Sequence, residues 1–127
     1  MGPAEMRSAR LSYRTLEGHV MTEVNRVTVV MQEEDIERTC RSMKAMCHPL
    51  RLKILCVLGD GELSVQDIVE RVGTSQSNIS QHLAILRDKG ILASRKEANR
   101  VFYRIVDFRT LQLMGMMREV FCTYHAR

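Results

Sequence analysis

Four cysteines, Cys40, Cys47, Cys56 and Cys122, are the side chains of this chain best suited to covalent or soft-metal chemistry. As thiolates they attack disulfides and persulfides, react with oxidants and select soft metal ions. No two of them form a CxC or CxxC pair, so neither a zinc ribbon nor a thioredoxin-like motif is present. Cys40 and Cys47 fall on one helix face and read most simply as core or dimer-core groups. Together with His48, Cys122 and His125 they could also gather near a subunit interface as a soft-metal or arsenite site. Cys47 beside His48 raises the possibility of a thiol enzyme. Neighbours on a helix point about 100° apart, however, and nothing supplies an oxyanion hole, so no enzyme is expected. Cys56 taken alone reads as an inert core thiol.

A second chemistry, hydrogen-bonded reading of a surface, is written in GTSQSNISQHLAILRDKG, from Gly73 to Gly90. A helix starting near Ser75 places Ile79, Leu83 and Leu86 on one side at spacings of four and three. Its other side carries Ser77, Ser80, Gln81, Ala84 and Arg87, which are small, polar or basic, with no acid among them. Such short donors and acceptors can approach a base edge closely. The preceding ELSVQDIVERVG reads as a short helix capped by Ser64, with Asp67 three residues on and Gly73 ending it. Two short helices joined by a tight turn form a helix-turn-helix. The following ILASRKEANRVFYRIV shows two extended runs around a polar turn, and Val101, Tyr103 and Ile105 alternate with Phe102 and Arg104 as in a half-buried strand. A hairpin in that place is a wing.

The charge distribution points the same way. The formal net charge is +4, and the whole surplus lies between Ser75 and Arg104. Arg87, Lys89, Arg95, Lys96, Arg100 and Arg104 there face only Asp88 and Glu97, as expected of a phosphate-binding surface. The expected DNA contacts are Ser75, Gln76, Ser77, Ser80, Gln81 and His82 from the helix. Lys96, Asn99 and Arg100 are expected to reach phosphates or the minor groove from the wing. No apolar run approaches bilayer length and no signal-type h-region opens the chain, so a cytoplasmic location with reduced thiols is expected, with no membrane partner.

The remaining elements position this head. Residues 1–31 lack periodicity and are expected to form a poorly ordered tail, with 32–127 as one domain. A helix opens near Gln32 with acids suited to its N-terminus and an apolar face of Ile36, Cys40, Met43 and Cys47. Pro49 suits the first turn of the next helix, the apolar LRLKILCVL. After the wing, Asp107 can cap a last helix running to about Tyr124. Leu111, Met114, Met117, Phe121 and Tyr124 form its stripe, widened by Leu113, Met116 and Val120. Terminal helices this apolar in so small a domain should bury their second faces against another copy. The expected fold is therefore mainly α (α+β), a winged helix-turn-helix of four helices, two strands and a last helix, dimeric through its first and last helices.

LRLKILCVL, the segment ELSVQDIVERVGTSQSNISQHLAILRDKGIL and the wing RKEANRVFYRI closely resemble ArsR/SmtB-type winged-helix repressors, over about Met43 to Cys122. The resemblance implies a homodimer that holds operator DNA until an inducer weakens binding. Two familiar metal sites of that family do not carry over. Ser64 and Gln66 stand where the arsenic and cadmium sensors have a CxC. Asp107 matches a ligand of the zinc and nickel sensors, but Arg109 stands where a histidine is needed. The HlyU-, BigR- and SqrR-like dithiol branch has one cysteine in an ILC segment and one near the end of the last helix, and Cys56 and Cys122 match both. The resemblance thus implies that Cys56 and Cys122 sense persulfide, polysulfide or oxidant by forming a di- or polysulfide bridge, with no cofactor. Cys40 and Cys47 are not part of that pattern.

Overall fold

A computed structural model of the chain describes residues 27–123. Most of the expected tail, residues 1–26, and Tyr124 and His125 lie outside them; residues 27–32 form neither helix nor strand. The first helix, α1 (Glu33–Met46), begins one residue from where its acids place it, with Glu33, Glu34 and Asp35 in the first turn and Lys44 in the last, each favourable to the helix dipole. The chain divides into two units, with the boundary between Thr39 and Cys40. In the first, Ile36 closes the opening turn by donating to the Gln32 carbonyl, and its side chain is exposed.

The second unit holds the rest. Helix α2 (Pro49–Leu58) starts at a proline, with His48 as its cap, and buries Ile54, Leu55 and Leu58. Strand β1 (Glu62–Ser64) leads straight into α3 (Val65–Val72), whose cap Ser64 accepts from the Asp67 N–H at 3.2 Å. Gly73, at φ 83°, ends α3 in the left-handed region and donates to the Val69 carbonyl, a conformation that costs glycine little. Helix α4 (Gln76–Asp88) is capped by Ser75 and buries Ile79, Leu83 and Leu86, the three residues its periodicity selects. Strands β2 (Leu92–Glu97) and β3 (Arg100–Ile105) form the expected hairpin.

The sheet has three antiparallel strands, not two, in the order β1-β3-β2. Glu62, Leu63 and Ser64 pair with Arg104, Tyr103 and Phe102. Pairing sets Arg95 opposite Phe102 and Glu97 opposite Arg100. Side chains alternate across a sheet, so these four share one face while Leu92 and Tyr103 turn the other way, into the core. That core joins Met46 of α1 to Ile54, Leu55, Leu58, Ile68, Val72, Ile79, Leu83 and Leu86.

The last helix, α5 (Arg109–Arg118), runs into a π-helical turn, Glu119–Thr123. Met114 and Met117 pack against the core as partly buried groups. Phe121, expected on the same stripe, is 64% exposed, beside exposed Leu113, Met116 and Val120. On α1 the buried residues are Ala45 and Met46, while Cys40, and Cys47 just past the helix end, are exposed.

Candidate nucleic-acid interface and reactive thiols

The outer side of α4 is as bare as its composition suggests. Gln76, Ser77, Ser80 and Gln81 are exposed, while Ile79, Leu83 and Leu86 behind them are fully buried. Ser75 is exposed too, but its Oγ accepts from the Asn78 N–H at 3.2 Å, so its acceptor is engaged in capping the helix. Asn78 ties the turn to the helix by donating from Nδ2 to Thr74 Oγ1 at 3.3 Å. His82 is less exposed than these. It is half-buried against α2, its ring 4.4 Å from that of His48, and Arg51 Nη1 lies 3.1 Å from its Nδ1. A guanidinium can only donate, so Nδ1 accepts and the proton of the neutral ring sits on Nε2. Burial, then the nearby His48 and Arg51, hold the His82 imidazole below its ordinary value.

In the wing, Lys96, Asn99 and Arg104 are exposed, but Arg95 and Arg100 are engaged. Arg95 donates to Glu62 at 2.8 Å and to Glu97 at 2.9 Å, and its guanidinium lies 4.6 Å above the Phe102 ring. Arg100 flanks the same ring at 5.4 Å and donates to Ser64 Oγ at 2.9 Å, with Asp67 at 3.9 Å. The hydrogen bond from Arg95, with help from Arg104, holds the Glu62 carboxyl below the usual range. The basic surplus between Ser75 and Arg104 is therefore not all on offer. Glu62 and Asp67, acids outside that window, fold against it. Arg100, expected to contact phosphate, is half-exposed and anchored to the start of α3.

All four cysteines are free and exposed. Cys56 is not a core thiol: it follows the buried pair Ile54–Leu55 on the outer side of α2. Cys122 lies in the π-helical turn. Among the described residues of one chain, no three His, Cys, Asp or Glu side chains gather as a metal site. The His48 ring is instead committed to capping α2, its Nδ1 accepting from the Leu50 N–H at 3.1 Å. Asp107 is occupied as well. Its carboxylate accepts from the Arg109 backbone N–H at 2.9 Å and from the Arg109 guanidinium at 2.6 Å, which lowers its pKa to about 2.

A turn-linked pair of short helices, the second bare and polar outside, followed by an arginine-bearing hairpin, is the arrangement that the comparisons identify. The family described as bacterial regulatory protein, arsR family, matches residues 48–94. The biofilm growth-associated repressor of Xylella fastidiosa (strain Temecula1) is 34% identical over 97 residues, covering 73% of this chain and 85% of the relative. This chain belongs to the arsR family.

Solved structures agree. HlyU from Vibrio cholerae N16961 superposes with a TM-score of 0.66 at 38% identity, over 72% of this chain and all of that one. The homodimeric winged helix-turn-helix domain Mb0332 from Mycobacterium bovis gives a TM-score of 0.63 at 26% identity, over 73% and 89% of the two chains. This arsR-family winged helix is accordingly a DNA-binding transcription regulator and not an enzyme. No helix among its described residues is long and apolar enough to cross a membrane. Sequence reasoning missed two residues at the site, Arg51 and Glu62, whose partners His82 and Arg95 lie 31 and 33 positions away in the chain, out of reach of any local pattern.

Proposed function

We propose that the protein is a homodimeric, cytoplasmic transcriptional repressor whose grip on operator DNA is released when Cys56 and Cys122 are bridged. The observation that carries the DNA-reading half is the outer face of α4, where Gln76, Ser77, Ser80 and Gln81 stand exposed over a buried apolar side. In a dimer two such helices enter successive major grooves, with Lys96 and Asn99 at each wing tip. The exposed apolar groups of α5 and its π turn, Leu113, Met116, Val120 and Phe121, supply the dimer contact, together with α1.

The switch half rests on two exposed thiols at the positions where the dithiol branch of the family carries its pair. A small persulfide passes its outer sulfur to one thiol and leaves as a thiol. The second cysteine then attacks the resulting protein persulfide, closing a disulfide and releasing hydrogen sulfide. Peroxide reaches the same disulfide with two waters as products, and extra sulfane sulfurs lengthen the bridge where the Cα atoms stand more than about 7 Å apart. A bridge between α2 and the last helical turn favours a dimer geometry that no longer fits successive grooves.

The test is fluorescence anisotropy on a duplex selected from a random library by the wild-type chain. Cys56→Ser and Cys122→Ser should bind it like wild type when reduced and stay bound after glutathione persulfide, while Cys40→Ser and Cys47→Ser still let go. Release of the Cys56→Ser protein by persulfide as readily as wild type would sink the two-cysteine switch. Failure to select any duplex would sink DNA reading itself.

A further inference from the structure

An α-helix leaves its last four carbonyls without partners inside the helix. At the end of α1 two are met by the backbone, Met43 by the Cys47 N–H and Met46 by the His48 N–H, both at 2.8 Å. The other two, those of Lys44 and Ala45, are taken by one side chain. Arg51 donates from Nη2 to the Lys44 carbonyl at 3.4 Å and from Nε to the Ala45 carbonyl. Its remaining terminal nitrogen reaches across to α4, where Nη1 donates to His82 Nδ1 at 3.1 Å. His48, the cap of α2, lies against the same imidazole. One planar fork therefore holds the α1–α2 joint and the middle of the reading helix together. A lysine, with a single compact ammonium, cannot span three acceptors in that geometry.

We propose that Arg51 is a positioning residue for the DNA-reading helix, fixing α4 against the α1–α2 joint through His82, and that protonation of His82 opens this clasp. The inference rests on the DNA-reading role of α4. It adds that the angle at which α4 is presented is set from outside the helix, by a residue of α2. The clasp needs an unprotonated Nδ1 on His82. A proton there turns the acceptor into a donor facing a donor, beside a permanent cation. The groups that act electrostatically on His82 are His48, the cap of α2, and Arg51 within α2, and both oppose its protonation. The sign follows: the clasp is complete above the ordinary histidine value of 6.5 and is lost as pH falls below it.

The experiment compares the selected duplex with a random duplex of equal length, using the full chain. Arg51→Met should lower affinity for the selected duplex by about tenfold or more while changing random-duplex affinity by no more than about twofold, because base reading needs the helix angle and phosphate contact does not. Arg51→Lys should rescue only part of this. In wild type the ratio of the two affinities should shrink on going from about pH 7.5 to about 5.5. In His82→Asn, whose carbonyl accepts without titrating, the ratio should hold across that range. An unchanged ratio in Arg51→Met, or an equal loss on both duplexes, overturns the proposal. So does a His82→Asn profile that follows wild type, and that result decides the matter even where Arg51→Met fails to fold. Selection that enriches no sequence is a different result, removing the DNA-reading role and this inference with it.

Discussion

Ser64 is the one polar residue fully removed from solvent among the described residues, and truncating it should loosen two elements at once. Its Oγ accepts from the Asp67 N–H at the start of α3 and from Arg100 Nη2 at the base of the wing. Losing an N-cap acceptor costs typically about 1 kcal/mol. The second bond is charge-assisted and worth more in principle. The Arg100 side chain is 52% exposed and can rehydrate or shift onto Asp67, so only a fraction of that value is lost. Together these give about 1–2 kcal/mol for Ser64→Ala, or a fall in Tm of about 5–12 °C for a domain of this size. Thermal unfolding followed by circular dichroism at one fixed protein concentration measures it, since a dimer's Tm moves with concentration. A double-mutant cycle with Arg100→Met isolates the shared bond and should show coupling of about 0.5–1 kcal/mol. A Ser64→Ala protein melting within about 1 °C of the parent, with no coupling to Arg100, would refute the reasoning.

Other perturbations are equally specific. Ala98 sits at φ 55° in the two-residue turn of the wing, where a Cβ is strained. Ala98→Gly should therefore raise stability by about 0.5–1 kcal/mol, and a lower Tm would contradict it. Leu83→Ala empties a fully buried site behind the reading face and should cost about 2–5 kcal/mol in urea unfolding, where a loss below about 1 would mean that the core collapses around it. The Asp107 carboxyl, lowered to about 2 chiefly by Arg109, favours the folded state above its ordinary 3.8, and that contribution disappears as pH falls through about 2. Carboxyl NMR titration should find a midpoint near 2 and, in Arg109→Leu, a return toward 3.8; a midpoint unmoved by that substitution would break the pairing.

What the sequence disclosed was whatever repeats or punctuates locally. Ile79, Leu83 and Leu86 mark the inner side of α4 by spacing alone, Ser64 and Ser75 mark helix starts, and Gly73 marks a stop. Strand β1 was illegible because three residues carry no periodicity, and Glu62–Ser64 becomes a strand only by pairing with β3 some forty positions on. His82 looked like one more polar residue on a polar helix. Its direction is set by Arg51 and His48, which no pattern within α4 reveals. The same applies to the wing's charge. Counting signs between Ser75 and Arg104 gives a surplus, but Glu62 and Asp67 arrive from earlier in the chain to meet it.

The carboxylates around Arg95 also bear on how this regulator feels salt. A protein cation that lands on a DNA phosphate normally frees a condensed counterion, steepening the fall of log affinity with log salt by about 0.9 per contact. Arg95 carries its counter-charge within the fold, in Glu62 at 2.6 Å and Glu97 at 2.9 Å. If it trades them for phosphate, the cation freed from DNA is matched by one that the vacated carboxylates collect from solution. If it keeps them, it makes no phosphate contact. Either way Arg95 adds little to the salt slope. The regulator should then hold its operator across swings in ionic strength with a shallower loss than its count of wing arginines implies, leaving Lys96 and Arg104 to supply most of the wing's ionic response.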